Sequence, residues 1–392
     1  MKPEGELPRR RLMAISFLGL MMTAVFATTV GPLFPFIREE FSISLGALGF
    51  LASAWNMGYL LTIIGGILSD RYGEPLILSL GFILGGAAAG LITVAPNYHL
   101  LALSFLLAGI GSAFGEASMN PLVSKLHPEK SGFALNILHI FWSAGAFIGP
   151  ALAGVLIMEY GKWRLPYQVI FLAFLPLIGV SVISAQRLNP DKGMLKSGIN
   201  GETRVRHLRT LGAPILAGFF YLSVELGVNA WLPSFVLMEK GFPMALASLS
   251  ISLFWASMAL GRVIVGGFVD RIGYGRLIFT ASVLGSTSIL AGTIADGAYI
   301  VMGLWALSGF MFGPIFPTIL AWACRMIPSQ RGLASGSILS IGILGAVFSP
   351  WFIGVMAELY TLGMSALYLS FSGFMIGLST LLLREDVPKP SA

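Results

Sequence analysis

Two segments of this chain, GILSDRYG at residues 66–73 and GGFVDRIG at residues 266–273, carry one motif at a separation of 200 residues. The same offset recurs elsewhere: Trp55, Gly132, Ala134, Gly145, Ala146, Pro150 and Gly154 return as Trp255, Gly332, Ala334, Gly345, Ala346, Pro350 and Gly354. A constant offset over separate blocks indicates an internal repeat. In a membrane protein, two like halves create an interface, which is where parallel-repeat transporters bind substrate.

The composition excludes most soluble classes. Of the 392 residues, 56% are hydrophobic and 11% are charged, which leaves too little polar surface for a water-soluble globule. The single cysteine, Cys324, excludes an intrachain disulfide, and no zinc-spaced set, Walker loop or nucleophile elbow occurs. We therefore expect no metal, no cofactor and no enzymatic activity.

Twelve apolar segments are long enough to cross a bilayer core of roughly 30 Å. This predicts an all-α integral membrane protein of twelve transmembrane helices in two six-helix, pseudo-symmetric halves. The predicted spans are 12–37, 46–69, 76–95, 99–124, 133–158, 166–185, 211–238, 244–268, 276–295, 298–324, 332–356 and 364–383. The long polar segment divides the chain into an N-terminal bundle (1–185), a linker (186–210) and a C-terminal bundle (211–392).

The basic residues set the expected orientation. Of 24 Lys and Arg, 19 fall on the side of the termini, 4 on the opposite side, and Arg262 lies within a span. Cytoplasmic loops carry the excess of Lys and Arg, so we expect both termini and the linker to be cytoplasmic, in the inner (plasma) membrane. This asymmetry also explains the net charge of +6 without a nucleic-acid partner.

The repeated motif resembles the G-x-x-x-D-R-x-G loop signature of the major facilitator superfamily, and the twelve spans extend this resemblance over the whole chain. It implies the major facilitator fold. We expect the motif residues to act as a conformational latch on the cytoplasmic surface, where Arg side chains anchor and Gly permits tight helix crossing. The predicted latch residues are Gly66, Asp70, Arg71, Gly73, Arg262, Gly266, Asp270, Arg271 and Gly273.

The fourth span contains Gly115-Glu116-Ala-Ser-Met-Asn120-Pro121. A carboxylate inside a span is costly and marks an ion or substrate pathway, although a neutral Glu bonding between helices is the structural alternative. Glu116 and Asn120 are four residues apart and so share one helical face. We expect both to take part in substrate binding or proton coupling.

The fifth span adds Asn136 and His139, which share a face, and histidine titrates near physiological pH. Together with Glu-x-x-x-Asn-Pro, this region resembles the fucose and hexose symporter branch of the superfamily. That resemblance implies that Glu116 takes part in proton coupling and sugar recognition. The fucose permease also has an acidic residue in its first span, and the matching place near Gly31 has none.

The seventh span places Tyr221, Glu225 and Asn229 on one face at successive spacings of four, a grouping suited to hydrogen bonding with a polyol. Trp55 and Trp255 occupy equivalent places in the repeat. Their rings can stack on a sugar or line an apolar pocket, and ordinary packing explains them equally well.

These patterns predict a secondary active transporter that works by alternating access. We expect a monomer in the lipid bilayer that moves a small polar solute, a monosaccharide, together with a proton. Proton-coupled efflux of an amphipathic, drug-like compound is the alternative, because Gly145-x-x-x-Gly149-Pro150 resembles the fifth-span signature of drug–proton antiporters. The arginine expected in the fourth span of such antiporters is missing. A transporter-like receptor that does not transport is the other alternative.

Overall fold

The computed structural model describes residues 6–127, 131–186, 211–327 and 331–381, and within these ranges every regular element is a helix. The N-terminal half consists of Glu6–Phe41, Leu45–Tyr59, Thr62–Tyr72, Glu74–Val94, Tyr98–Leu126, Ser131–Tyr160 and Leu165–Gln186. The C-terminal half consists of Gly212–Ser234, a π-turn at Phe235–Glu239, Met244–Ile264, a 3₁₀ turn at Gly266–Phe268, Val269–Ile272, Tyr274–Ile294, Ala298–Phe312, Ile315–Met326, Arg331–Leu359 and Leu362–Leu381.

These helices form twelve spans that are long and apolar enough to cross a membrane, as the sequence predicts. We number them 1 to 12 in chain order. Three spans are interrupted within the predicted limits: span 2 between Tyr59 and Thr62, span 8 after Ile264, and span 10 between Phe312 and Ile315. The interruption of span 10 has a clear cause, because Pro314 lacks an N–H and cannot continue the hydrogen-bond ladder.

The repeat read from the sequence is a repeat in the structure. Span 3 covers Glu74–Val94 and span 9 covers Tyr274–Ile294, at the same offset of 200 residues. The glycines before them share an unusual backbone conformation, with φ 92° and ψ 140° at Gly73 and φ 90° and ψ 146° at Gly273. Glycine adopts positive φ without the steric penalty that a Cβ imposes, so this position of the motif needs glycine in both halves.

The halves meet along three pairs of spans: span 2 packs on span 11, span 5 on span 8, and span 1 on span 7. Span 4 instead packs on spans 1, 2, 3 and 5 of its own half. An even number of spans brings both ends of the chain to one face, which we call the terminal side, and the opposite face is the far side. The predicted linker, apart from Gln186, lies outside the described residues.

Candidate functional site

In the N-terminal half, the structure pairs Glu116 of span 4 with Tyr59 of span 2. The Tyr59 hydroxyl donates to Glu116 Oε2 at 2.5 Å, and both side chains are partly exposed although they lie deep within their spans. Within the described part of the chain, Glu116 has no ion-pair partner. Asn120 lies one turn away and donates to the Glu116 backbone carbonyl at 3.2 Å. A phenol is therefore the one direct side-chain partner of this carboxyl among the described residues.

In the C-terminal half, a second carboxyl is held by both a phenol and a cation. The Tyr221 hydroxyl donates to Glu225 Oε1 at 3.3 Å, and the Arg262 guanidinium lies 3.4 Å from the same oxygen. Arg262 also donates through Nε to the Gly313 carbonyl at 3.3 Å, at the interruption of span 10. The Tyr221 ring stacks on Phe316 with the centroids 5.1 Å apart.

This geometry changes the grouping of Arg262. From the sequence we expect it among the latch residues, either neutralising a carboxylate whose partner the sequence cannot name or extending toward the interface. The structure instead directs its guanidinium to Glu225, one of the predicted site residues, because the side chain is long enough to reach span 7. Arg262 is thus a partner of the buried carboxyl rather than of the loop.

His139 interacts electrostatically with one charged group of each half. It is exposed on span 5, and its imidazole interacts with Glu116 of its own half and with Arg262 of the other half. Span 5 packs on span 8, which brings His139 within electrostatic range of Arg262. Asn136, predicted to share the face of His139, has a side chain outside the described residues.

Asn229 and Trp255, predicted as substrate ligands, are instead committed to contacts between spans. Asn229 Nδ2 donates to the Ala27 carbonyl of span 1 at 3.3 Å, and Trp255 Nε1 donates to Asn229 Oδ1 at 3.1 Å. Both residues are buried. In this conformation the Asn229 amide joins the two halves, and the Trp255 indole N–H is engaged by Asn229.

Four further hydrogen bonds join the halves toward the far side, one of them from the Gly46 N–H to Glu358 Oε2 at 3.3 Å. Asn56 Nδ2 donates to the Ala346 carbonyl at 2.9 Å, the Trp351 N–H donates to Ser53 Oγ at 3.2 Å, and Ser252 Oγ donates to the Phe147 carbonyl at 2.9 Å. We name Ser53, Asn56, Asn229 and Ser252 with these partners the far-side gate. The gate is closed, so the structure represents the conformation in which the far side is sealed.

Trp55 is a packing residue. It is buried and meets the Phe26 ring edge-on at a centroid distance of 4.8 Å. Such aromatic pairs stabilise a core through their geometry and buried area. The packing alternative that the sequence left open therefore describes Trp55.

The two latch motifs lie at the terminal-side ends of spans 2 and 8. Asp70 and Arg71 are exposed, and the Arg71 guanidinium lies 5.3 Å from the Tyr72 ring centroid. In the second motif, Arg271 lies 5.9 Å from the Phe268 ring centroid. The side chain of Asp270 lies outside the described residues. The motif of span 2 packs on spans 3 and 4 of its own half.

Tyr59 and Asn56 are the site residues that the prediction missed. Both stand in the apolar second span beside Trp55, and a phenol or an amide in a span usually bonds across helices. The sequence therefore contained a signal for them. The sequence could not show which residues they bond to, because their partners Glu116 and Ala346 lie on distant segments of the chain.

The sequence profile of the Major Facilitator Superfamily matches residues 16–298 and 251–392. The chain therefore belongs to this superfamily of transporters, and it is a multi-pass membrane protein that works as a secondary transporter rather than an enzyme.

Its relatives differ in what they carry. It is 27% identical over 386 residues to the 3-(3-hydroxy-phenyl)propionate transporter of Escherichia coli (strain K12), covering 94% of this chain and 92% of that protein. It is 24% identical over 385 residues to the glucose/mannose transporter GlcP of Bacillus subtilis (strain 168), covering 92% of each. A bacterial homolog of the human lysosomal transporter Spinster, solved in an inward-facing and unoccupied conformation, shares the fold with a TM-score of 0.82 at 15% identity and full coverage of both chains.

Proposed function

We propose that this protein is a proton-coupled symporter of a monosaccharide, which it binds between its two halves at the level of Glu116 and Arg262. We place the protein in the inner (plasma) membrane with both termini on the cytoplasmic side. The sealed far side then faces outward. Glu116 carries the coupling proton, and the surrounding phenol, amide and imidazole groups bind hydroxyls of the solute.

The observation that carries this proposal is the Tyr59–Glu116 pair. Its carboxyl lies deep in the membrane, is partly exposed and has no cationic partner within the described residues. Burying an ionised carboxylate in that setting costs desolvation free energy, and protonation of the carboxyl removes this cost. A carboxyl that can be either protonated or ionised fits the role of a proton carrier.

The balance of charge favours a neutral polar solute. Arg262 is already neutralised by Glu225, so the fixed charge left at the site is that of Glu116. An anionic ligand would meet an unpaired carboxylate, unless Glu116 were first protonated. A polyol meets only hydrogen-bonding groups and encounters no such repulsion.

An organic acid is the second candidate, because two basic groups, His139 and Arg262, lie within electrostatic range of each other and the relative from Escherichia coli named above carries a phenylpropionate. Drug efflux has less support. Trp55 and Trp255, the rings predicted to stack on a sugar or to line an apolar pocket, are buried, and the hydrogen-bonding groups beside Glu116 are what favours a polyol.

Uptake by proteoliposomes separates these candidates. The purified protein is tested with radiolabelled D-glucose, D-mannose, L-fucose, 3-(3-hydroxyphenyl)propionate and the lipophilic cation tetraphenylphosphonium, each with and without an inward proton gradient. We expect accumulation of a hexose that depends on the gradient. Gradient-driven uptake of the acid without hexose binding would overturn the sugar assignment, and tight binding of the cation alone would favour efflux.

A further inference from the structure

We propose that Tyr59 is a positioning residue that couples the state of Glu116 to the far-side gate, through the helix that carries both Tyr59 and Asn56. The inference rests on the proposed role of Glu116 as the coupling carboxyl. It concerns the motion that this carboxyl controls, and it can be tested without any substrate.

The first observation is the position of Tyr59 in span 2. The far-side segment of this span, Leu45–Tyr59, ends at Tyr59, and the chain resumes as a helix at Thr62. The last residue of the far-side segment is therefore the one whose hydroxyl holds Glu116 of span 4 at 2.5 Å. At this irregular turn the Leu61 N–H bonds to the Gly58 carbonyl, three residues back, and we take the turn as the pivot of the far-side segment, whose pivot end the Tyr59–Glu116 bond fixes.

The second observation is a hydrogen bond that the same segment makes to span 11, one turn before Tyr59. Asn56 donates to the Ala346 carbonyl of span 11 at 2.9 Å. In an uninterrupted helix that carbonyl would accept the N–H of residue 350, but residue 350 is Pro and has none. Asn56 therefore supplies the donor that Pro350 removes. Opening the gate leaves the Ala346 carbonyl without a protein donor, which favours the closed state.

The close approach of the helices makes this contact specific. A Cβ at Gly49 would collide with the backbone carbonyl of Pro350, so the backbones of spans 2 and 11 touch without an intervening side chain. At such a distance a small rotation of the segment Leu45–Tyr59 breaks the bond between Asn56 and Ala346. A change at Tyr59 is thereby converted into opening or closing of the gate.

The charged groups around Glu116 define what can titrate with it. His139 of span 5, in the same half, interacts with it electrostatically, and the same imidazole interacts with Arg262 of span 8 in the other half. On span 3, Glu74 is paired with Lys125 of span 4, and on span 2, Asp70 is exposed at the terminal side. The imidazole of His139 can also take up a proton, so its contribution must be separated by substitution.

The test measures the gate directly. In a Cys324→Ser background, Lys162→Cys and Tyr360→Cys place spin labels on exposed far-side residues of the two halves. Electron–electron double resonance on the reconstituted full chain then gives the closed fraction between pH 5 and pH 8, without substrate. The series is repeated with His139→Gln to remove the imidazole.

We expect the closed fraction of the parent protein to change with pH, and Glu116→Gln to abolish that change. Tyr59→Phe should displace the midpoint by about one pH unit, the scale of one hydrogen bond to a charged group. In the Glu116→Gln background, Tyr59→Phe should have no further effect on pH dependence. Asn56→Ala should lower the ratio of closed to open states about tenfold at every pH.

Tyr98→Phe is the matched control. The Tyr98 hydroxyl also joins span 4 to the far-side segment of span 2, donating to the Ala47 carbonyl at 2.9 Å, but it does not touch Glu116. We expect it to leave the midpoint in place. Equal displacement by Tyr59→Phe and Tyr98→Phe would reduce Tyr59 to a packing residue and overturn the proposal. A closed fraction independent of pH in the parent protein would also overturn it, while leaving hexose binding to be decided by the uptake experiment.

Discussion

The two halves of this protein repeat each other in architecture and differ in chemistry. Each half has a carboxyl held by a tyrosine: Glu116 by Tyr59 in the N-terminal half, and Glu225 by Tyr221 in the C-terminal half. Among the residues that the structure describes, only the second carboxyl also has a cation, Arg262, at 3.4 Å. One half thus carries a carboxyl whose described side-chain partner is a phenol, and the other carries a carboxyl that is also paired with a cation.

The difference arises where the repeat fails. The residues 200 positions away from Glu116, Glu225 and Arg262 are Phe316, Val25 and Thr62. Phe316 does not replace a carboxyl in function, because its ring stacks on Tyr221 and supports the other site. Residues that match across the halves build the helix crossings, and residues that do not match bring the titratable groups to the space between them.

The largest expected difference between the halves concerns Glu116. Glu116→Gln keeps the shape and a hydrogen bond to Tyr59 but removes titration. We expect accumulation of the hexose against its gradient to fall to an internal to external ratio of about one, while exchange of labelled for unlabelled hexose continues. The measurement compares gradient-driven uptake with counterflow in the same proteoliposomes.

Glu74→Gln is the control for that substitution. Glu74 is a buried carboxyl of the same half, but Lys125 pairs with it, and it lies at the start of span 3 away from the site. It should leave the accumulation ratio unchanged, apart from any loss of stability. Uphill accumulation by Glu116→Gln at the parent level would remove Glu116 from the coupling mechanism.

The second prediction tests the ion pair of the C-terminal half. Arg262→Ala leaves the mostly buried carboxyl of Glu225 without its cation, and we expect a loss of about 2 kcal/mol in the free energy of unfolding, the order found when a buried polar partner is removed. Adding Glu225→Gln should restore part of that loss, because the remaining group carries no charge.

The unfolding temperature in detergent, measured for the two single variants and the double variant, decides this point. Additive losses would show that Arg262 and Glu225 do not interact energetically, whatever their distance. In that event the cation near Glu225 would not stabilise it, and the two carboxyl groups, Glu116 and Glu225, would differ less in their energetics than their partners indicate.

The sequence predicts the fold more completely than the site, for physical reasons. Apolar length and a constant offset are properties of the chain itself, and the twelve spans and the shared backbone of Gly73 and Gly273 follow from them. The hydrogen-bond partner of a side chain, in contrast, cannot be read from the sequence alone. Helical spacing places Tyr221, Glu225 and Asn229 on one face but cannot show that Asn229 is bonded to Ala27 of the other half.

Arg262 illustrates the same limit. Its neighbours in sequence belong to the loop motif, whereas its long side chain reaches Glu225 on another span. The interruption of span 2 after Tyr59 also escaped prediction, because the apolar pattern continues across it. Contacts between distant segments are set by packing of the whole molecule.

The third prediction separates a gate residue from a ligand. If Asn229 closes the far side, Asn229→Ala removes its bonds to Ala27 and Trp255 and should lower the ratio of closed to open states by about one decade. Spin-label distances across the far side measure that ratio. Affinity for the hexose from the terminal side should change by less than about threefold once the shift in population is taken into account. A loss of one to two decades in affinity, with the gate unchanged, would instead make Asn229 a ligand, as its sequence spacing suggested.

The smallest expected difference lies where the halves are alike. Gly73→Ala and Gly273→Ala each place a Cβ on a residue whose φ is near 90°, a conformation that costs an L-residue on the order of 1–3 kcal/mol. Because the two backbones have nearly the same φ and ψ, the two losses of stability should agree within about 0.5 kcal/mol, the precision with which independent sites usually add. The double variant should then show their sum, measured as the unfolding temperature and converted with the parent enthalpy. A large inequality would mean that one loop is strained or braced by contacts that the other lacks, and the architectural repeat would then extend only to the helices.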